Sequence, residues 1–123
     1  MEVRATGGCL CGAVRYEVRG PLRDVVVCHC SRCRRTHGHV AAYAACARSD
    51  LVLLDAATLR WYEADERGRG FCSCCGASLF WRADGRESVS IAAGTLDPPT
   101  GLKTVRHIHT EDASDYYPLS GSP

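Results

Sequence analysis

Three cysteines crowd into six positions of the segment Cys28-His29-Cys30-Ser31-Arg32-Cys33-Arg34-Arg35-Thr36-His37-Gly38, spaced C-x-C-x-x-C among two histidines and three arginines. So many soft donors in so short a run point to a bound metal, and zinc is the first choice because thiolates suit it. The run supplies three thiolates, whereas a closed structural zinc site needs four ligands. Either a side chain from elsewhere completes the set, or one position stays open for chemistry. What the chain can do turns on that choice.

The rest of the composition makes a metal useful. The chain has 123 residues, the size of one domain, and 46% of them are hydrophobic. Much of that share is alanine and cysteine, and only two phenylalanines and two tryptophans contribute large rings. A core of that kind is marginal for a chain with many loops, so a structural metal fits the need. Fifteen basic against 14 acidic residues leave a net charge of +1, which gives no field suited to nucleic acid. The N-terminus lacks the apolar run of an export signal, and no stretch reaches the length of a membrane span. A cytoplasmic protein is expected. There, nine cysteines read as metal ligands or free thiols rather than disulfides, and their odd number leaves at least one unpaired under any disulfide scheme.

Short strands run through the chain. Val14, Tyr16 and Val18 alternate with Arg15 and Glu17 as in a half-buried strand. Val25-Val26-Val27 delivers the chain into the cysteine run, and Val40 to Ala47 reads as a strand after Gly38. Leu51–Leu54, Leu59–Glu63, Ser78–Arg82, Ser88–Ala93 and Val105–His109 are further strands, with a hairpin turn at Asp84-Gly85. The charged, glycine-rich stretch Ala64–Gly70 reads as an exposed loop, and Pro98-Pro99 excludes a central strand there. No long amphipathic pattern intervenes, so the fold class is all-β. Residues 1–118 form a single domain, and 119–123 a loosely ordered tail, with looseness setting in from about Tyr116.

The nine cysteines sort by spacing. Cys9-x-Cys11-Gly12 and Cys72-x-x-Cys75-Gly76 each sit on a glycine-containing turn beside a strand, and each is half of a site. Joined, they make a closed four-cysteine zinc site that stabilises folding. Cys75 is preferred to Cys74 because a glycine follows it. Cys74 and Cys46 are then small, buried, inert thiols. Cys28, Cys30 and Cys33 remain as a three-thiolate set. His29, His37 or His39 would close it as a structural site of three cysteines and one histidine, or it keeps a fourth position for water or an incoming thiol. Arg32, Arg34 and Arg35 either offset the thiolates, hold a substrate carboxylate, or are simply solvated. His107 and His109 alternate on a strand, so only one of them can face a site.

Gly8-Cys9-x-Cys11-Gly12-x-Val14-x-Tyr16, then Cys28-His29-Cys30-x-x-Cys33-Arg34-x-x-x-Gly38, then Phe71-Cys72-x-x-Cys75-Gly76 resembles the glutathione-dependent formaldehyde-activating enzyme family, also called the CENP-V/GFA domain. Gly94-Thr95-Leu96-Asp97 and the region of His107-Ile108 look like its C-terminal half, so the resemblance spans roughly residues 5–118. It implies an Mss4-like β-tent of curved antiparallel sheets with zinc knuckles and two zinc ions. By the resemblance, Cys9, Cys11, Cys72 and Cys75 hold the structural zinc, and Cys28, Cys30 and Cys33 hold a catalytic-type zinc; from their place beside these thiols, Arg34 and Arg35 are the residues expected to bind the substrate. The implied reaction is that of an S-(hydroxymethyl)glutathione synthase, formally a carbon–sulfur lyase, which adds glutathione or a similar small thiol to formaldehyde or another small aldehyde. The alternative is a zinc-stabilised binding module without turnover. No membrane or nucleic-acid partner is implied, and the oligomeric state is left open.

Overall fold

The computed structural model describes residues 2–119, so positions 120–123 of the expected tail lie outside the described residues. The fold is mostly β, in two sheets. A small antiparallel sheet joins β1 (Ala5–Gly8), β2 (Arg15–Val18) and β5 (Leu51–Asp55) in that order. The large sheet contains β3 (Arg23–Cys28), β4 (Ala41–Ala47), β6 (Leu59–Ala64), β7 (Arg67–Cys72), β8 (Ser78–Ala83), β9 (Ser88–Ala92) and β10 (Thr104–Ile108). Its order is β10-β3-β4-β9-β8-β7-β6.

Alternation explains how the sheets meet. In β2 the even-numbered Tyr16 and Val18 are fully buried while Arg15 and Glu17 stay partly exposed. With Val14 they pack on Leu79, Phe80, Val89 and Ile91 of the large sheet. The Tyr16 ring meets Phe80 edge-on, with centroids 5.2 Å apart. Burying a phenol requires a partner for its hydroxyl, and Thr95 Oγ1 lies 2.7 Å from it. Gly7 makes this approach possible. A Cβ there would collide with the Tyr16 hydroxyl and stand 2.5 Å from the Thr95 carbonyl oxygen, so only glycine fits. That close seam brings the first cysteine turn, which follows β1 directly, against the far end of the large sheet.

Three elements differ from the sequence expectation. The sheets are not wholly antiparallel, since β10 runs parallel to β3 from Thr104↔Val25 to Ile108↔Cys28. Residues Ser31–His37 of the cysteine run form a helix, α1, where the sequence analysis has strands alone. Cys30 caps its N-terminus by accepting the Cys33 N–H on its sulfur, and Gly38, at φ 75°, closes its C-terminus with an N–H bond to the Arg34 carbonyl. The charged stretch Ala64–Gly70 is no loop either. Asp65 and Glu66 turn with φ of 53° and 62°, and Arg67 starts β7 at once. Gly68 and Gly70 serve packing there: a Cβ on Gly70 would stand 3.2 Å from both Trp61 and Phe80. Alternation then sets Arg67 and Arg69 on the opposite face of the strand.

Candidate functional site

The first cysteine set is assembled by two matching turns. Gly12 donates its N–H to the Cys9 carbonyl at 3.2 Å, and Gly76 donates to the Cys72 carbonyl at 2.8 Å. Both glycines take the left-handed conformation, with φ of 82° and 77°. This turns the sulfurs of each pair the same way, and the Val14 N–H donates to Cys9 Sγ at 3.2 Å. Cys9, Cys11, Cys72 and Cys75 thus place all four sulfurs within 4.8 Å of one another. The Thr58 hydroxyl, 3.3 Å from Cys72 Sγ, and the backbone N–H groups of Cys75 and Cys74 push the Cys72 thiol down to about 6. Such N–H and O–H donors stabilise thiolates, the form a metal binds, so the donor set fits a tetrahedral zinc. Cys74 stays outside the set. It is exposed rather than buried, because its turn points it outward, whereas Cys46 is buried in the core as expected.

The second set lies where three elements converge. Cys28 ends β3, flanked by Ala41 of β4 and Ile108 of β10. Cys30 caps α1, and Cys33 is that helix's one buried residue. Their sulfurs also fall within 4.8 Å of one another. Burial pushes the Cys28 and Cys33 thiols up. At Cys30 burial acts the same way, but hydrogen bonds from the Cys33 N–H and the neighbouring thiols outweigh it and bring that thiol below its ordinary value. Three sulfurs in this spacing fit three of zinc's four positions.

The histidines offered as a fourth ligand are engaged elsewhere. His37 Nε2 pairs with the Tyr43 hydroxyl at 2.8 Å, and His39 Nδ1 with that of Tyr116. Buried His29 turns away from the sulfurs flanking it, with Nδ1 2.6 Å from the Tyr117 hydroxyl and Nε2 2.9 Å from His107 Nδ1. No histidine, aspartate or glutamate among the described residues joins the three sulfurs. Tyr116 and Tyr117, expected to be loose, close over this histidine cluster instead. Burial, with the neighbouring His107 and His39, pushes the His29 imidazole down and so favours the neutral ring, in which one nitrogen donates and the other accepts. His29→Ala is expected to lose about 2–4 kcal/mol of stability in urea unfolding, from the cavity and the two stranded partners. A loss below about 0.5 kcal/mol would mean that this network contributes nothing to stability.

The three sulfurs line a cleft of about 500 Å³, whose walls include Tyr43, Trp81 and five arginines: Arg23, Arg32, Arg67, Arg69 and Arg86. Arg34 and Arg35 do not line it. Arg34 donates from Nε to the Asp112 carbonyl at 3.1 Å. Apart from Arg32, the arginines of the cleft come from the large sheet and its turns, and the sequence reading passed over them. The alternation Arg67-Gly68-Arg69-Gly70 was the signal, since it sets two arginines on one face and two glycines on the other.

Comparison with known proteins adds a family. The sequence pattern described as "Glutathione-dependent formaldehyde-activating enzyme" matches residues 4–112. Among solved structures, the chain is similar to a crystal structure described as a Rhodobacter sphaeroides protein, with 29% identity and a TM-score of 0.67. The match covers 83% of this chain and 98% of that one. No curated protein matches the chain.

Proposed function

This chain belongs to the glutathione-dependent formaldehyde-activating enzyme family, and we propose that it adds the thiol of glutathione, or of a similar small molecule, to formaldehyde or another small aldehyde. Read in the direction of adduct cleavage, that is carbon–sulfur lyase chemistry. One observation carries the reading: Cys28, Cys30 and Cys33 converge without a fourth protein ligand among the described residues and open into a cleft large enough for a small thiol. Zinc held by these three cysteines supplies a Lewis acid that keeps an incoming thiol deprotonated at neutral pH.

The chain's own residues set up the remainder. In the reaction the thiolate sulfur bonds to the aldehyde carbon, the carbonyl electron pair moves to oxygen, and that oxygen takes up a proton. Tyr43 lines the cleft, and its hydroxyl is fixed by His37 at 2.8 Å and by Arg69 at 3.5 Å. A hydroxyl fixed in this way is a donor for the oxygen as charge develops on it. The four-cysteine set contributes stability, holding the first turn to the end of β7. All nine cysteines are free, which fits a reducing compartment such as the cytoplasm.

The test joins metal counting to kinetics. Native mass spectrometry of fresh protein is expected to show two zinc ions per chain. Substoichiometric protein is expected to raise the rate of adduct formation from glutathione and formaldehyde at least about tenfold over buffer, a margin needed because the uncatalysed addition is itself easy. If no thiol and aldehyde from a panel react faster than in buffer, catalysis is refuted and a zinc-stabilised binding module remains.

A further inference from the structure

Adding a thiol to an aldehyde moves one proton, from the sulfur to the new hydroxyl oxygen. Tyr43 can hydrogen-bond that oxygen, but burial pushes its phenol up, so it keeps its own proton. The arginines of the cleft do not give theirs up. Apart from the three sulfurs, the titratable residues left on the wall are His109 and Asp112. Of these two kinds of group, imidazole is the one that both takes and gives a proton readily near neutral pH. His107 is engaged with His29 at 2.9 Å, away from the cleft wall. His109 is free of that cluster.

The backbone delivers His109 to the thiols. β10 ends at Ile108, whose partner across the parallel pair is Cys28. Neighbouring strands stand about 4.8 Å apart, so the Cα of the next residue, His109, lies roughly 6 Å from that of Cys28. In an unbroken strand that residue would turn to the face opposite Ile108. His109 takes a left-handed conformation instead, with φ 54° and ψ 40°, and lines the cleft beside Ile108. A positive φ is uncommon for a residue with a Cβ, and such outliers cluster at functional sites. The turn is fastened as well. The Asp112 N–H donates to the His109 carbonyl at 3.1 Å, and the Asp112 carbonyl accepts from Arg34 Nε. Arg34 thus ties the turn that bears His109 to the helix that bears Cys33. Glu111 Oε1 stands 3.6 Å from His109 Nδ1. A carboxylate on that side favours the proton on Nδ1, which leaves Nε2 as the acceptor.

We propose that His109 carries the proton of the addition, taking it from the entering thiol and returning it to the aldehyde oxygen. This role rests on the thiol-adding reading above. The S–H bond breaks toward the imidazole nitrogen, and its electron pair stays on sulfur. The sulfur then bonds to the aldehyde carbon while the carbonyl electron pair moves to oxygen. The imidazolium N–H gives its proton to that oxygen, and the neutral ring is restored. No oxidant or further reactant enters. In adduct cleavage the same ring takes the hydroxyl proton and passes it to the departing sulfur. Glu111 favours the imidazolium between the two transfers, as an opposite charge does.

Two variants of the zinc-loaded protein separate the imidazole from its turn. Asparagine and glycine both accept a left-handed backbone, so His109→Asn and His109→Gly keep the turn without the ring. Each is expected to unfold cooperatively and to retain two zinc ions in native mass spectrometry. With glutathione and formaldehyde, each is expected to lose about 100-fold in kcat, or to fall to the buffer rate. Added imidazole, corrected for its own effect in buffer, is expected to raise the His109→Gly rate at least about tenfold. It should leave His109→Asn, whose side chain fills the space, nearly unchanged. Wild-type rates in both variants overturn the proton role and leave thiol addition standing. A slow His109→Gly protein that imidazole does not speed overturns it too, since the turn alone would then matter. Loss of a zinc ion from both variants makes His109 a metal ligand and likewise overturns it. No acceleration by the wild-type protein defeats the thiol-adding reading itself, and this role with it.

Discussion

Cys72→Ser is expected to abolish the cooperative folding transition, or to lower the melting temperature by more than about 20 °C, with loss of one zinc per chain. Cys72 ends β7, is fully buried in the main core and accepts a hydrogen bond from Thr58. Its sulfur lies 3.8 Å from that of Cys11, a residue 61 positions earlier, so the set ties the start of the chain to the large sheet. Structural zinc binding is worth about 10–16 kcal/mol in small domains, which matches or exceeds the whole stability of a typical domain, about 5–15 kcal/mol. Serine keeps the shape but is a poor zinc ligand, and it would leave a hydroxyl inside the core. Cys46→Ala is the control, since Cys46 is also buried in that core but belongs to no sulfur set. It is expected to cost about 1 kcal/mol by loss of packing alone. Equal losses for the two variants would show that the four sulfurs act as ordinary core atoms, and the structural-metal reading would fall.

What the sequence revealed follows from the range over which each signal acts. The cysteine turns were legible because their constraint is local: Gly12 and Gly76 each occupy a left-handed position that the turn itself demands, one residue after a cysteine. Tyr16 and Val18 were legible because a strand of one sheet alternates faces whatever it packs against. The helix at Ser31–His37 escaped notice since seven residues show no periodicity and its cap is cysteine, outside the usual capping set. Its one readable sign was Gly38 after a basic last turn. Cleft membership was out of reach for another reason. Arg23 and Arg69 share a row only through the pairing of five strands, and nothing local to either residue encodes that register. Arg34 and Arg35 drew attention by lying close in sequence to the thiols, yet the helix carries them off the cleft wall. The parallel pairing of β10 with β3 is likewise a property of topology, since an isolated strand reads alike in either direction.

The two cysteine sets therefore make opposite demands on a substitution, and Cys30→Ser exploits the difference. Cys30 is only partly buried, and its sulfur accepts the Cys33 N–H as the cap of α1 at 3.3 Å. Serine is among the preferred residues at a helix N-cap, so the helix keeps its start and is expected to gain rather than lose local stability. What serine removes is one of three sulfurs and the thiol whose affinity for its proton is lowest in that cluster. We expect Cys30→Ser to reduce thiol–aldehyde addition at least about 100-fold, or to the rate in buffer, while its unfolding stays cooperative. The zinc of the four-cysteine set should remain and the second ion become labile, visible as a single retained zinc after brief chelation. The ordering of the two variants is the informative result. A centre built for stability would make Cys30→Ser resemble Cys72→Ser, with unfolding in both. A centre with an open position separates them, with one variant unfolded and the other folded but inactive. Full activity in a Cys30→Ser protein that still carries both zinc ions would place the chemistry elsewhere on the chain and reject the proposed function.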